Sequence, residues 1–127
     1  MSTQPKNGEF CWNDLRTNDV KKAKEFYAKL LGWTYEDVLD DKPYTLVSCE
    51  GMPMGGIVDI PSEVKDKVPP HWMSYINVDD LDATLKKAQA LGATLIAPAQ
   101  TCGNFGRSAV IQDPTGAYIS FWESAEA

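Results

Sequence analysis

Asp14 is the acid with the most chemical promise. It sits mid-strand between Asn13 and Leu15, where a carboxylate is costly to bury unless paired. Such a group can orient a ligand or accept a proton, desolvation raising its pKa. The simpler expectation is an ion pair with Arg16, its same-face neighbour, or with Arg107. Either arginine can also clamp an anionic ligand. His71 is the single histidine, so no histidine cluster can hold a metal and a catalytic triad is disfavoured. It follows Pro69-Pro70, and a structural role at a strand entry is expected. Cys11, Cys49 and Cys102 are widely spaced and form no CxxC pair, which argues against a zinc knuckle or a thioredoxin-type site. No basic neighbour in sequence lowers a thiol pKa. Cys11 and Cys49 read as small core residues, and Cys102, in the loop TCGNFGR, reads as exposed and more reactive. That loop, Thr101 to Arg107, reads as mobile with an aromatic tip able to close over a ligand. It lacks the GK[ST] pattern of a phosphate loop. The stretch EGMPMGG, Glu50 to Gly56, also reads as flexible, with Met52 and Met54 free to pack on a ligand or a second subunit.

These residues hang on an internal repeat. WNDLRTNDVKKAKEFYAKLL (12–31) and MSYINVDDLDATLKKAQAL (73–91) each run from a strand-like segment through a polar pair into a helix. The helices stop at Gly32 and Gly92. GGIVDI (55–60) matches GAYISF (116–121) in the same order, which points to a duplicated unit. The first helix begins near Asp19, with Val20, Ala23, Tyr27, Leu30 and Leu31 on one face. Asn18 or Asp19 caps it and Gly32 ends it. The second runs from about Asp80 to Leu91, burying Leu81, Thr84, Leu85, Ala88 and Leu91. Strands are expected at Trp33 to Val38, Tyr44 to Cys49, Gly56 to Ile60, Thr94 to Ile96, Arg107 to Gln112 and Tyr118 to Trp122. Asp113-Pro114-Thr115-Gly116 reads as a turn. The fold class is therefore α+β, with two tandem β-α-β-β-β modules in a single domain, 1–127. Module 1 covers about 8–60, a proline-bearing linker 61–70, and module 2 about 71–124. Each unit has one helix, so its other sheet face needs cover. Two curved sheets side by side can line a shared cleft for a small molecule. The linker permits a cleft within one chain or an exchange of modules between chains.

Paired modules of this kind resemble the vicinal oxygen chelate superfamily. That family includes glyoxalase I, extradiol dioxygenases, and fosfomycin and bleomycin resistance proteins. The resemblance runs from about Gly8 to Glu123. It rests on WNDLRTND followed by AKEFYAKLLGW, on PHWMSYINVDDLDATLKKAQALGATL, and on GRSAVIQDPTGAYISF. The chain is most similar to glyoxalase-like proteins with a PHW-x-x-Y-x-x-VDD segment. By that resemblance, metal ligands in metal-dependent members fall at Trp12, Asp59, Met73 and Ser120. Only Asp59 suits a hard divalent ion. The resemblance thus implies a glyoxalase-type scaffold with no metal and no other cofactor at the standard site.

If those positions face the cleft, strand alternation adds their neighbours. Trp12, Asp14 and Arg16 face it from the first strand, and Met73, Tyr75 and Asn77 from the strand opening the second half. Tyr118, Ser120 and Trp122 face it from the last strand, with Asp59 from the first half. The set is aromatic with a few polar groups and suits stacking on a planar ligand or holding a cation. Equally, the aromatics can meet and fill the cleft as core. The expected function is binding of a small organic molecule by a glyoxalase-like protein. The alternatives are a glyoxalase-like enzyme, of lyase or related type, either metal-free with Asp14 or Tyr75 handling the proton or with a metal at non-standard positions, and a subunit whose surface serves a partner.

Composition narrows the partners. The 127 residues carry 43% apolar and 24% charged residues, which fits a folded globular protein and excludes a disordered or collagen-like chain. Twelve Lys+Arg against eighteen Asp+Glu give a net charge of −6. Such a chain repels phosphate backbones and anionic membranes, so neither nucleic acid nor membrane is expected. MSTQPKNGEF holds no apolar stretch, so no signal peptide is expected, and a reduced cytoplasmic location follows. A homodimer is expected, as for many relatives.

Overall fold

The computed structural model describes residues 5–38, 44–60 and 68–125. In chain order the elements are β1 (Phe10–Thr17), α1 (Val20–Leu31), β2 (Thr34–Val38), β3 (Tyr44–Cys49) and β4 (Met52–Asp59). Then come β5 (His71–Asn77), α2 (Leu81–Ala90), β6 (Thr94–Cys102), β7 (Gly106–Gln112) and β8 (Tyr118–Ser124). This is β-α-β-β-β twice over, the α+β fold expected from the repeat. The chain divides into two compact units, Asn13–Met73 and Met1–Trp12 with Ser74–Ala127. Much of the expected linker, residues 61–67, lies outside the described residues.

In the unit of residues 13–73, α1 starts where local chemistry predicts. The Asp19 carboxylate accepts from the Lys22 backbone N–H at 3.0 Å. Gly32 closes the helix in the left-handed region at φ 76°, donating to Ala28 O at 2.9 Å. Val20, Ala23 and Tyr27 pack against Leu15, Val47 and Ile57. The expected buried stripe is shorter than the spacing suggested. Leu30 and Leu31 stay 61% and 52% exposed. The strand order is β2-β3-β4-β1. Strand β1 runs parallel to β4, from Asn13 opposite Gly55 to Thr17 opposite Asp59. The other neighbours are antiparallel. Strand β4 begins at Met52, earlier than expected. Glu50 and Gly51 both take positive φ, 50° and 81°, making a two-residue hairpin turn that matches strand twist. EGMPMGG is therefore mostly strand.

In the other unit, Asp80 caps α2 by accepting from Ala83 N–H at 3.1 Å. Leu81 and Leu85 are buried with Val78, Ala109 and Ile111, and Ala88, Ile119 and Phe121 pack against them. Leu91 is 69% exposed. It forms the C-cap rather than part of the buried face. The order is β5-β8-β7-β6, with β5 and β8 parallel. Strand β6 is longer than the expected Thr94 to Ile96 and shifts register around Pro98. A proline has no N–H to give a ladder, so an outer strand bends there. The expected mobile loop at Thr101 to Arg107 is instead a tight hairpin, with Cys102 opposite Gly106 and Phe105 N–H donating to Cys102 O at 3.0 Å. Arg107 ties this unit together. It meets Asp82 at 3.1 Å and Glu123 at 2.9 Å. Glu123 also accepts from the Leu81 N–H at the start of α2.

Candidate functional site

Leu15 packs under α1, so alternation turns Asp14 and Arg16 to the helix-free face of residues 13–73. Asp14 is 3% exposed. Arg16 Nε lies 3.6 Å from its Oδ1. The ion pair expected for Asp14 is thus with Arg16, and Arg107 is engaged by Asp82 and Glu123. Across the ladder from Asp14 stands Gly56. A β-carbon on Gly56 would collide with the Tyr44 hydroxyl. Tyr44 therefore lies over the bare glycine, next to the strand position of Asp14. Sequence reading missed Tyr44. The only available signal was the glycine pair 55–56, because glycine inside a strand marks a close approach.

Asp59 is not brought to this face. It pairs with Thr17, on the Leu15 side of the ladder, and is exposed. The expected match of Asp59 with Ser120 is corrected by register. Tyr75 stands opposite Ser120 in one unit, and Asp14, the repeat counterpart of Tyr75, stands opposite Gly56 in the other. Gly56 is thus the counterpart of Ser120. Met73 is 4% exposed.

In the unit formed by residues 1–12 and 74–127, Ile119 and Phe121 pack toward α2. Ser120 and Trp122 accordingly occupy the helix-free face, opposite Tyr75 and Asn77. Tyr75 is 7% exposed and Ser120 fully buried. Ser120 Oγ has no hydrogen-bond partner among the described residues. Asn77 is committed structurally: its Nδ2 donates to Pro5 O at 2.9 Å, and its backbone bonds Gly8 and Glu9. Trp122 and Trp12 are half-buried, and Tyr118 is 50% exposed.

The remaining candidates are plain. His71 Nδ1 donates to Pro69 O at 2.8 Å, as expected of a structural histidine. Cys11 is half-buried, and burial pushes its thiol pKa up. Cys49 is exposed at the end of β3 rather than core. Cys102 is half-buried beside Ser108 rather than exposed. Among the described residues no group of three or more His, Cys, Asp or Glu is placed to hold a metal ion. At the positions the resemblance implies, the side chains are the indole of Trp12, the carboxylate of Asp59, the thioether of Met73 and the hydroxyl of Ser120. A second feature missed in sequence is an aromatic cluster on the α1 face. Tyr27 stacks on Trp33 at 4.9 Å, and Trp72 meets Trp33 edge-to-face at 6.0 Å.

Comparison with known proteins agrees with this architecture. The family model described as Glyoxalase/Bleomycin resistance protein/Dioxygenase superfamily matches residues 10–121. "Putative glyoxylase CFP32" of Mycobacterium bovis is 36% identical, over 94% of this chain and 49% of that protein. "Anthracycline biosynthesis protein DauV" of Streptomyces sp. (strain C5) is 30% identical, over 91% of this chain and 46% of that protein. The chain spans about half the length of the curated relatives it matches. The crystal structure of methylmalonyl-CoA epimerase from Mycobacterium tuberculosis shares the fold, at TM-score 0.67 and 20% identity over 99% of this chain and 94% of that one. No helix among the described residues is long and apolar enough to cross a membrane.

Proposed function

Since the chain belongs to the Glyoxalase/Bleomycin resistance protein/Dioxygenase superfamily, we propose that it binds a small organic molecule on the helix-free sheet face without a resident divalent metal. One observation carries the reading: Ser120 Oγ is buried and has no partner among the described residues. A buried hydroxyl left unbonded costs about 1–3 kcal/mol, and because the protein itself covers Ser120, a ligand relieves that cost by displacing the side chains over it. Tyr75 stands across the ladder from Ser120, and Trp122 sits two residues on, on the same face. Together they offer a hydroxyl, a phenol and an indole, the mix of polar anchors and aromatic surface that suits an organic ligand.

The donor chemistry supports the metal-free part. Indole, thioether and hydroxyl stand at Trp12, Met73 and Ser120, and Gly56, the register counterpart of Ser120, has no side chain to coordinate with. Names among the relatives, a glyoxylase and proteins of anthracycline biosynthesis, favour an organic molecule as the ligand class. They also favour a second reading, a glyoxalase-like enzyme with Asp14 or Tyr75 handling the proton. Turnover of the methylglyoxal–glutathione adduct, lost in Tyr75→Phe or Asp14→Asn, would support it. A cytoplasmic homodimer remains part of the proposal, and sedimentation of the full chain tests the dimer.

The binding reading is tested by thermal shift against a panel of aromatic and cationic small molecules. At least one compound should raise the Tm of the wild type and leave Ser120→Ala unmoved. Without ligand, Ser120→Ala should melt at or above the wild type, because it deletes an unsatisfied group. A panel in which no compound raises the Tm of the wild type more than that of Ser120→Ala overturns the reading.

A further inference from the structure

Just past the end of α1, the α1-bearing face of residues 13–73 is hollow. A pocket of about 290 Å³, open to solvent on one side, lies between Trp33, Trp72, Val47 and Met54, with Asn13 and the glycine pair 55–56 completing its wall. Val47 packs with Leu15 and Ile57 beneath α1. The cavity is therefore on the opposite face from Asp14 and Arg16, and nothing proposed above uses it.

Its walls are held in place. Tyr27 stacks on Trp33 with ring planes 18° apart. Trp72 stands at 89° to Trp33 and at 75° to Tyr27. Two indoles fixed at right angles make a corner, where a flat ring can lie against one and turn its edge to the other, the geometries aromatic pairs favour. Trp72 is 43% exposed, so apolar surface is left for a ligand to cover.

The lining also selects the ligand. No ionisable side chain borders the cavity. With no countercharge in the wall an anion is disfavoured, and a neutral ring gains most from the apolar indole surface. An apolar cavity of roughly 150 Å³ takes up benzene. The volume here, about 290 Å³, accommodates two fused rings. The Asn13 amide is the polar side chain in the wall, and the backbone of the glycine pair belongs to the ladders with β1 and β3. We propose that this corner is a binding site for a neutral, planar molecule of two fused rings, separate from the helix-free face.

The test is titration of the full chain with 2-naphthol while following the indole N–H resonances of its four tryptophans. Trp33 and Trp72 should shift together and saturate, and Trp12 and Trp122 should not move. Trp72→Ala should weaken binding about tenfold, as expected for loss of an aromatic wall. Phe105→Ser, which removes an exposed ring from a hairpin tip elsewhere, should bind like the wild type. Should Trp72→Ala not fold, Met54→Phe, which fills the cavity, should abolish the Trp33 and Trp72 shifts at unchanged Tm. Shifts confined to Trp12 and Trp122 would place the probe on the helix-free face and overturn this site. Absence of saturation, or equal weakening in Phe105→Ser, would overturn it too. Failure of the Ser120 test bears on the other face alone, so the two proposals stand or fall separately.

Discussion

The Tyr44 hydroxyl occupies the place where a β-carbon of Gly56 would be. The ring of Tyr44 thus lies over the bare glycine, and a methyl group there would have to displace it. Gly56→Ala should force Tyr44 away and cost about 1–3 kcal/mol, the range for overpacking a filled site. Tyr44→Ala in the same chain should recover part of that loss. A double-mutant cycle by urea unfolding measures the coupling. Additive losses would mean that Tyr44 moves aside freely.

Asp14 and Arg16 should behave as a buried pair. Their side chains are 5% and 19% exposed and 3.6 Å apart. Removing the carboxylate takes from Arg16 the partner it holds at 3.6 Å, so Asp14→Ala should lower stability. Replacing both, with Asp14→Leu and Arg16→Met, should cost much less. Unfolding free energies of the two single variants and the double variant check this.

Much of the fold was legible in local chemistry. Asp19, Gly32 and Asp80 stand where capping rules put them, because a helix end is decided by neighbours in sequence. Strand β3 matches its expected bounds for the same reason. Register was not legible. GGIVDI and GAYISF align by residue type, yet β4 follows a two-residue turn and β8 the longer Asp113–Gly116 turn, so the strands enter their ladders at different points. That slip put Asp59 in the expected site where the ladder has Gly56. The Trp33–Trp72 corner was invisible because its walls come from segments far apart in the chain.

Helical spacing alone also overstated burial, which two leucines can test. Leu85 is 7% exposed and Leu30 is 61% exposed. Leu85→Ala should cost about 2–5 kcal/mol, through lost transfer energy and the void left behind. Leu30→Ala should stay within about 0.5 kcal/mol. Chemical denaturation of both variants separates packed from unpacked stripe positions.

Asp113 should make stability depend on acid. Its Oδ1 accepts from the Thr115 hydroxyl at 2.6 Å and from the N–H groups of Thr115 and Ala117. These bonds, the Thr115 hydroxyl first, hold its pKa below the usual carboxylate value. A group depressed in the folded state stabilises above its unfolded pKa and loses that contribution as pH falls through the folded one. Asp113→Ala should therefore be less stable than the wild type at pH 7, and the gap should narrow on acidification below the normal carboxylate range. Melting both proteins across that window decides it. A gap that is constant with pH would show that the turn does not depend on the ionised carboxylate.

The chain is proposed to be a glyoxalase-type scaffold whose ligand face works without a resident metal. The most direct test of that proposal is the metal content of the full chain purified without chelator or affinity tag. Far less than one divalent ion per chain is expected, with no change in Tm on adding nickel or zinc. One ion per chain, retained through purification and lost in Asp59→Ala or Asp14→Ala, would contradict it.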